Sequence, residues 1–302
     1  MNNQAQGWVD AHTHAYGEEV FSNGADPVLW ASERGETHWA KLVAPNKNGV
    51  SLQGFVTRAQ MLEDMQEANV SHALLVGWYW QHAETCRWHN RVMAQWIAGN
   101  PAHFSAFAAV QPRDNPDLLK DLQWAHDHGF KGVGELFPAV QGYDMRDARF
   151  FELLEFAQAH NWPVNLHVEE PVGRPHAGRR AASLQDYVFI AERFEKVRFI
   201  FSHWGGGLPF YELNPHVRSA LKNVFYDCAA SPFLYDDSVF KKVIEIVGAH
   251  RVLFGSDYPL RLYPKKNSPP KIASFTRAAA AQLTSEQATL VMGENARGLL
   301  GI

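Results

Sequence analysis

With 302 residues, 46% hydrophobic and 20% charged, the chain has the length of one large α/β domain or two small ones. Its 28 Lys and Arg against 32 Asp and Glu give a formal charge of -4, which leaves no basic surplus for a phosphate backbone and argues against nucleic acid as a partner. Apolar runs of about six residues fall short of the roughly 18 to 20 that a membrane span needs. Two cysteines, Cys86 and Cys228, build no disulfide framework, and residues 1–10 lack a signal-like pattern; the expectation is a cytoplasmic protein with a small-molecule substrate.

Taken in chain order, apolar runs at 8–11, 73–77, 104–110, 132–136, 163–166, 197–201, 224–227 and 251–254 read as eight strands, each closed by a polar or Gly/Pro stretch. Between them, segments at 57–68, 86–98, 116–128, 147–160, 184–194, 208–221, 238–247 and 270–283 carry helical spacing. Met61, Leu62, Met65 and Ala68 share one face of the first, and Phe150, Leu153, Leu154 and Ala157 one face of the fourth. Runs such as Ala73-Leu74-Leu75-Val76 are continuously apolar, as parallel strands buried on both faces require. Eight strands alternating with eight helices predict a single α/β domain over 1–302, a (β/α)8 TIM barrel. The Gly-rich first turn of a dinucleotide-binding open sheet is missing. One stretch fits no repeat: residues 17–56, after the first strand, place Trp30, Arg34, His38 and Trp39 among Gly, Asn and Pro. The expectation is an insertion covering the barrel mouth. The tail, 284–302, predicts one or two closing helices that open on Thr284-Ser285-Glu286.

Asp10-Ala11-His12-Thr13-His14 ends the first strand, and residues two apart in an extended chain point to the same side, so two imidazoles converge. With 15 histidines in the chain, about 0.7 such pair arises by chance, and His126-Asp127-His128, at a helix end where residues two apart do not share a face, is read as solvated. The signal that lifts His12 and His14 above chance is recurrence. Glu135, His167, His203 and Asp257 each follow a buried strand, and the C-terminal ends of barrel strands are where such folds assemble their sites. Imidazoles and carboxylates without cysteine predict an open catalytic centre for a divalent ion, Zn first, with Mn, Ni or Fe fitting the same donors.

These residues carry a resemblance. Asp10-Ala11-His12-Thr13-His14, Asn165-Leu166-His167, Ser202-His203-Trp204-Gly205-Gly206-Gly207, Leu253-Phe254-Gly255-Ser256-Asp257-Tyr258-Pro259 and the closing segment at 292–301 resemble the amidohydrolase superfamily. Within it, they are similar to the amidohydrolase-related branch that includes aminocarboxymuconate-semialdehyde-type decarboxylases. The resemblance implies a distorted barrel holding one divalent metal at His12, His14, His167 and Asp257, with His203 close by. Glu135 resembles the bridging glutamate of binuclear branches, which would bring a second ion to His167 and His203. No lysine ends the fourth strand for carbamylation, since Lys131 precedes it.

A metal-lowered water pKa of about 7 supplies a nucleophile at neutral pH. Asp257 is then the candidate base and later proton donor, and His203 the group that polarises the carbonyl. The leading expectation is hydrolysis of an amide, ester or lactone in a small, carboxylate-bearing substrate. The alternative is non-hydrolytic decarboxylation of an aromatic or muconate-like acid, and a third reading is a non-catalytic metal- or ligand-binding barrel. Arg174, His176 and Arg179, after the fifth strand, are candidates to meet a carboxylate. Trp80, Tyr143 and Tyr258, with Trp78, Tyr79 and Phe137, are candidates for an aromatic wall. The 19 Phe and 10 Trp leave apolar surface for which a symmetric homodimer is the commonest outcome.

Overall fold

The computed structural model describes residues 7–173, 175–176, 178–261 and 271–302. Its strands are β1 (Trp8–Thr13), β2 (Val70–Leu75), β3 (Phe104–Ala108), β4 (Gly132–Leu136), β5 (Val164–Leu166), β6 (Phe199–Phe201), β7 (Val224–Asp227) and β8 (Val252–Leu253). They form one sheet in chain order with every neighbouring pair parallel. The first and last strands meet. The Ala11 amide donates to the Phe254 carbonyl at 2.8 Å, Asp257 to His12 at 2.9 Å, and His14 to Tyr258 at 2.7 Å. The (β/α)8 TIM barrel predicted from the alternation is therefore the fold.

Helices cover the sheet with the faces their spacing predicts. The helix Ala148–Ala159 buries Phe150, Leu153, Leu154 and Ala157, each large side chain contributing about 1.5 to 3 kcal/mol when removed from water. Thr57 caps the helix Arg58–Glu67 by accepting from the Gln60 amide, and Thr284 with Gln287 forms a reciprocal capping box at the tail. The closing helix Asn295–Leu300 sets Ala296, Leu299 and Leu300 into an apolar cluster with Val9, Ala11, Leu74 and Leu253.

Three segments depart from the sequence pattern. The helix expected at 208–221 splits into Leu208–Tyr211 and Pro215–Ala220. Pro215 has no amide to continue the first piece, and Asn214 caps the second through the His216 amide. The eighth strand has two residues, because Ala249–Arg251 turns as a 3-10 helix before it. The insertion at 17–56 is ordered: α1 (Pro27–Glu33) and α2 (Thr37–Val43) bury Trp30 and Trp39 against Trp80, with ring centroids 5.8 and 5.1 Å from it. Among the described residues no helix is long and apolar enough to cross a membrane.

Candidate metal centre and active site

Parallel strands in a barrel all end at the same rim, and this places six donors of distant sequence together. His12 lies near the end of β1, with His14 just beyond it, and Glu135 lies in β4. His167 follows β5 directly, His203 lies two residues past β6, and Asp257 four past β8. His203 and Asp257 adopt left-handed backbone, with φ of 60° and 62°, a conformation that costs non-glycine residues of order 1 to 3 kcal/mol and concentrates at functional sites. The turn after β6 demands its glycines. At Gly205, with φ of 55°, a Cβ would lie 2.7 Å from the Tyr226 ring.

Three overlapping groups, His12/His203/Asp257, His12/His14/Glu135 and Glu135/His167/His203, each bring their donor atoms within 4.8 Å of one another. The groups are not equivalent. His167 Nδ1 lies 2.8 Å from Glu135 Oε1, and His203 Nε2 lies 3.2 Å from the same oxygen and 3.0 Å from His167 Nδ1. That side of the cluster satisfies itself by hydrogen bonds. On the other side, His12 Nε2 and His14 Nε2 are buried with no hydrogen-bond partner. Carboxylate oxygens surround them: Asp257 Oδ1 is 3.2 Å from His14 Nε2 and 3.8 Å from His12 Nε2, and Glu135 Oε2 is 3.9 Å from His12 Nε2. Orphaned imidazole nitrogens facing carboxylates in a buried site fit a divalent cation. His12, His14 and Asp257, with one Glu135 oxygen, are the residues that could hold it.

The electrostatics describe the same demand for positive charge. Burial works to raise Glu135 and Asp257, yet the neighbouring imidazoles hold both carboxyls below their ordinary range, His167 foremost for Glu135 and His14 for Asp257. Burial works to lower His203, but Glu135, then Asp257 and Asp227, override it and hold the imidazole up at about 10. His12 is held up at about 9, Asp227 being the largest influence against desolvation.

Asp227 is a residue the sequence reading missed, although it ends β7 as the other donors end theirs. Its Oδ2 accepts from His12 Nδ1 at 2.9 Å, which fixes the tautomer that leaves Nε2 as a lone-pair donor. Its Oδ1 accepts from the amides of His203 at 2.9 Å and Ala229 at 3.1 Å, so one carboxylate ties β1, β6 and β7. The backbone carbonyl of Val76 faces His14 Nδ1 at 3.2 Å in the same way.

Above the donors a cavity of about 170 Å³ opens at the rim. Trp78, Tyr79, Leu234 and Leu260 line it, and the insertion contributes Leu42 and Leu52. Of the predicted substrate-contacting residues, His176 lines this cavity, with Nε2 3.3 Å from Glu169 Oε1. Arg174 lies outside the described residues. Arg179 does not line the cavity: its guanidinium donates to the carbonyls of Glu170, Pro171 and Gly173, so it braces the loop instead of meeting a ligand. Trp80 is also displaced, since its indole donates to His89 Nδ1 at 2.9 Å within the aromatic packing under the insertion. Tyr143 is turned onto Phe150 by the left-handed Gly142 before it. Tyr258, which follows the left-handed Asp257, donates its hydroxyl to Asp64. The aromatic wall belongs to Trp78 and Tyr79, whose rings stack with centroids 4.3 Å apart.

Comparison with known proteins gives a family model described as Amidohydrolase that matches residues 9–302. Among solved structures, the chain is similar to 5-carboxyvanillate decarboxylase from Novosphingobium aromaticivorans complexed with manganese and 4-hydroxy-3-methoxy-5-nitrobenzoic acid. Identity is 15%, with 100% of this chain and 98% of that chain covered, at a TM-score of 0.70. It is similar to 2,6-dihydroxybenzoate decarboxylase from Rhizobium at 18% identity, covering 98% of this chain and 99% of that one, with a TM-score of 0.68. A third structure is a probable 2-pyrone-4,6-dicarboxylic acid hydrolase from Acinetobacter baumannii, at 16% identity, 98% and 100% coverage and a TM-score of 0.64. At these identities the likeness is one of fold.

Proposed function

Because the chain belongs to the amidohydrolase family, we propose that it is a metal-dependent decarboxylase of a small aromatic or muconate-like acid, in place of the hydrolase that the sequence put first. The carrying observation is the chamber beside the donor cluster. Its described lining holds Trp78, Tyr79, Phe233 and Leu234 together with Glu169 and Glu170, and no Arg or Lys. Loss of CO2 with uptake of a proton turns a carboxylate into two uncharged products, and apolar walls with carboxylates nearby favour those products over the bound anion. The two decarboxylases of like fold, one holding manganese, support the same reading.

His12, His14, Asp257 and Glu135 would hold a divalent ion, which when bound would supply Lewis acidity to substrate oxygens beside the scissile bond. Asp227 and the Val76 carbonyl hold the two imidazoles in their donor tautomers. Trp78 and Tyr79 present their rings to a planar substrate. As the carbon–carbon bond breaks, its electron pair returns to the ring carbon, which takes a proton from the Asp257–His203 pair, 3.9 Å apart. Solvent restores that proton after CO2 leaves.

Hydrolysis is the second reading, favoured by the hydrolase of like fold and by the same pair, which can accept a proton from water. One experiment separates them. The manganese- or zinc-loaded protein, turned over on a panel of hydroxybenzoates and lactones in D2O enriched in 18O, is expected to release CO2 and place one deuterium on the ring. Uptake of 18O into an acid product with no CO2 would assign it as a hydrolase. Chelation is expected to abolish either activity.

A further inference from the structure

The loop after β2 carries the aromatic wall of the chamber, and it is held from two sides. From the barrel, Gln111 Nε2 donates to the Gln81 carbonyl at 2.9 Å and Gln141 Nε2 to the Trp80 carbonyl at 3.2 Å. From the insertion, Glu36 accepts at both oxygens, Oε2 from the Gln81 amide at 2.8 Å and Oε1 from the His82 amide at 3.2 Å. The Thr85 side chain bonds the same carboxyl, which belongs to a residue only 1% exposed. The barrel thus takes carbonyls of this loop, and the insertion takes those two amides.

The exchange is mutual. Glu36 stands at the N-terminal boundary of α2 but makes no side-chain cap to it. Gln81 Oε1 does so instead, accepting from the His38 amide at 2.8 Å and the Thr37 hydroxyl at 3.0 Å. Each segment satisfies donors of the other, so undocking the insertion would strip partners from both at once. The same docking reaches the ring wall. The His38 ring packs on Tyr79 with centroids 5.6 Å apart, while Trp78, Phe137 and His167 meet Tyr79 at 4.3, 5.3 and 5.2 Å. Leu42, one turn beyond His38, lines the chamber together with Trp78 and Tyr79.

We propose that Glu36 is a positioning residue for the substrate ring. By holding the Gln81 and His82 amides it ties the Trp78–Tyr79 wall to a docked insertion, so that ring binding and docking of 17–56 strengthen one another. The inference rests on the aromatic-substrate reading for what fills the chamber, and adds what sets the wall that receives it. Coupling of this kind is reciprocal: a ring that packs on Trp78 and Tyr79 favours the docked insertion by the same factor by which docking raises affinity for the ring. His12, His14, Glu135 and Asp257 lie in neither segment, so metal affinity serves as the internal control.

Binding tests this independently of turnover. The manganese-loaded protein is titrated with 2-nitrophenol, a planar ring with no carboxylate to lose, and manganese affinity is measured separately. Glu36→Ala is expected to weaken the ring about 5- to 100-fold, a usual range for coupling between sites, with manganese affinity changed less than about twofold. Gln81→Leu, which leaves both amides to Glu36, is expected to weaken the ring in the same range. The double variant is expected to lose no more than the worse single one, because either change breaks one shared exchange. In the unaltered protein the ring is expected to slow proteolysis within 17–56, and in Glu36→Ala to leave it unchanged. Should Glu36→Ala fail to load manganese, Glu36→Gln, which keeps one acceptor, carries the comparison with an expected loss of about 3- to 10-fold. Unaltered ring affinity in a manganese-loaded Glu36 variant overturns the proposal. So do losses that multiply in the double variant, proteolysis indifferent to the ring, or failure of the ring to bind the unaltered protein. If the ring behaves as expected and no hydroxybenzoate loses CO2, the decarboxylase reading falls and the Glu36 assignment stands. Release of CO2 with ring affinity indifferent to Glu36 has the opposite result.

Discussion

At the scale of single residues, the site depends on which imidazole nitrogen is free, and Asp227 decides this for His12 through its 2.9 Å contact with Nδ1. Asp227→Asn keeps the shape but offers the imidazole a less basic acceptor, and loss of such an orienting partner typically costs 10- to 100-fold in metal affinity. Competition with a metallochromic chelator should show that drop, with thermal stability of the metal-free protein as the control for folding. An affinity within twofold of the unaltered protein would remove Asp227 from the orienting role. Asp257 has a different part, because its oxygens face both the orphaned nitrogens and His203. Asp257→Asn is expected to lower kcat by about 10² or more, measured at saturating metal so that lost occupancy is not mistaken for lost proton transfer. That His12, His14, His167 and Asp257 share one rim of the barrel was legible in the sequence, because each follows an apolar run. Asp227 sits in the same position after Val224-Phe225-Tyr226, but it has no histidine beside it to draw attention.

At the scale of elements, the insertion and the loop after β5 clasp one another over the chamber. His38 in α2 donates Nε2–H to the Gly178 carbonyl at 2.8 Å, while Leu42, one turn along, lines the cavity beside Gly178. His38→Leu removes the donor and leaves the Gly178 carbonyl unpaired at the clasp, a loss of about 1 kcal/mol or more. The expected outcome is a higher KM with a smaller change in kcat, and faster proteolysis within 17–56. An unchanged KM and cleavage pattern would show that the clasp does not hold the chamber. The strands and most outer helices were readable because burial on both faces, or on one helical stripe, leaves a strong pattern. The order within 17–56 was not, since α1 and α2 have seven residues each and draw their stability from aromatic packing against Trp80 and Trp88, which no local periodicity encodes. Aromatic residues after strands β2 and β4 were read as pocket wall without knowledge of the turns that redirect Trp80 and Tyr143 into packing.

For the whole molecule, acid stability follows from two histidines that are buried in the neutral form. His89 Nδ1 accepts from the Trp80 indole at 2.9 Å and the Trp78 amide at 3.3 Å, and its Nε2 donates to the Ala15 carbonyl at 2.7 Å. Both ring nitrogens are committed, and a second proton would face two donors. Desolvation is the largest cause of its depression to about 3, and of that of His38 to about 4. A histidine depressed on folding contributes stability that is fully present above its unfolded value near 6.5 and is lost as pH falls toward the folded value. His12 and His203, held up at about 9 and about 10, have the opposite sign and keep their contribution through that window, losing it only as pH rises. Asp10, pushed up to about 7 by burial, gains stability over the same fall, so the total slope mixes signs and a difference between proteins is the clean measure. Urea unfolding of the unaltered protein and of His89→Gln, compared at pH 7 and pH 4.5, should show the stability gap between them narrowing at the lower pH. The expected narrowing is on the order of 2 to 3 kcal/mol. The substituted amide supplies an acceptor and a donor without titrating, so a gap that stays constant from pH 7 to 4.5 would mean that His89 takes up its proton without disturbing the packing between β1 and the Trp78–Trp80 turn.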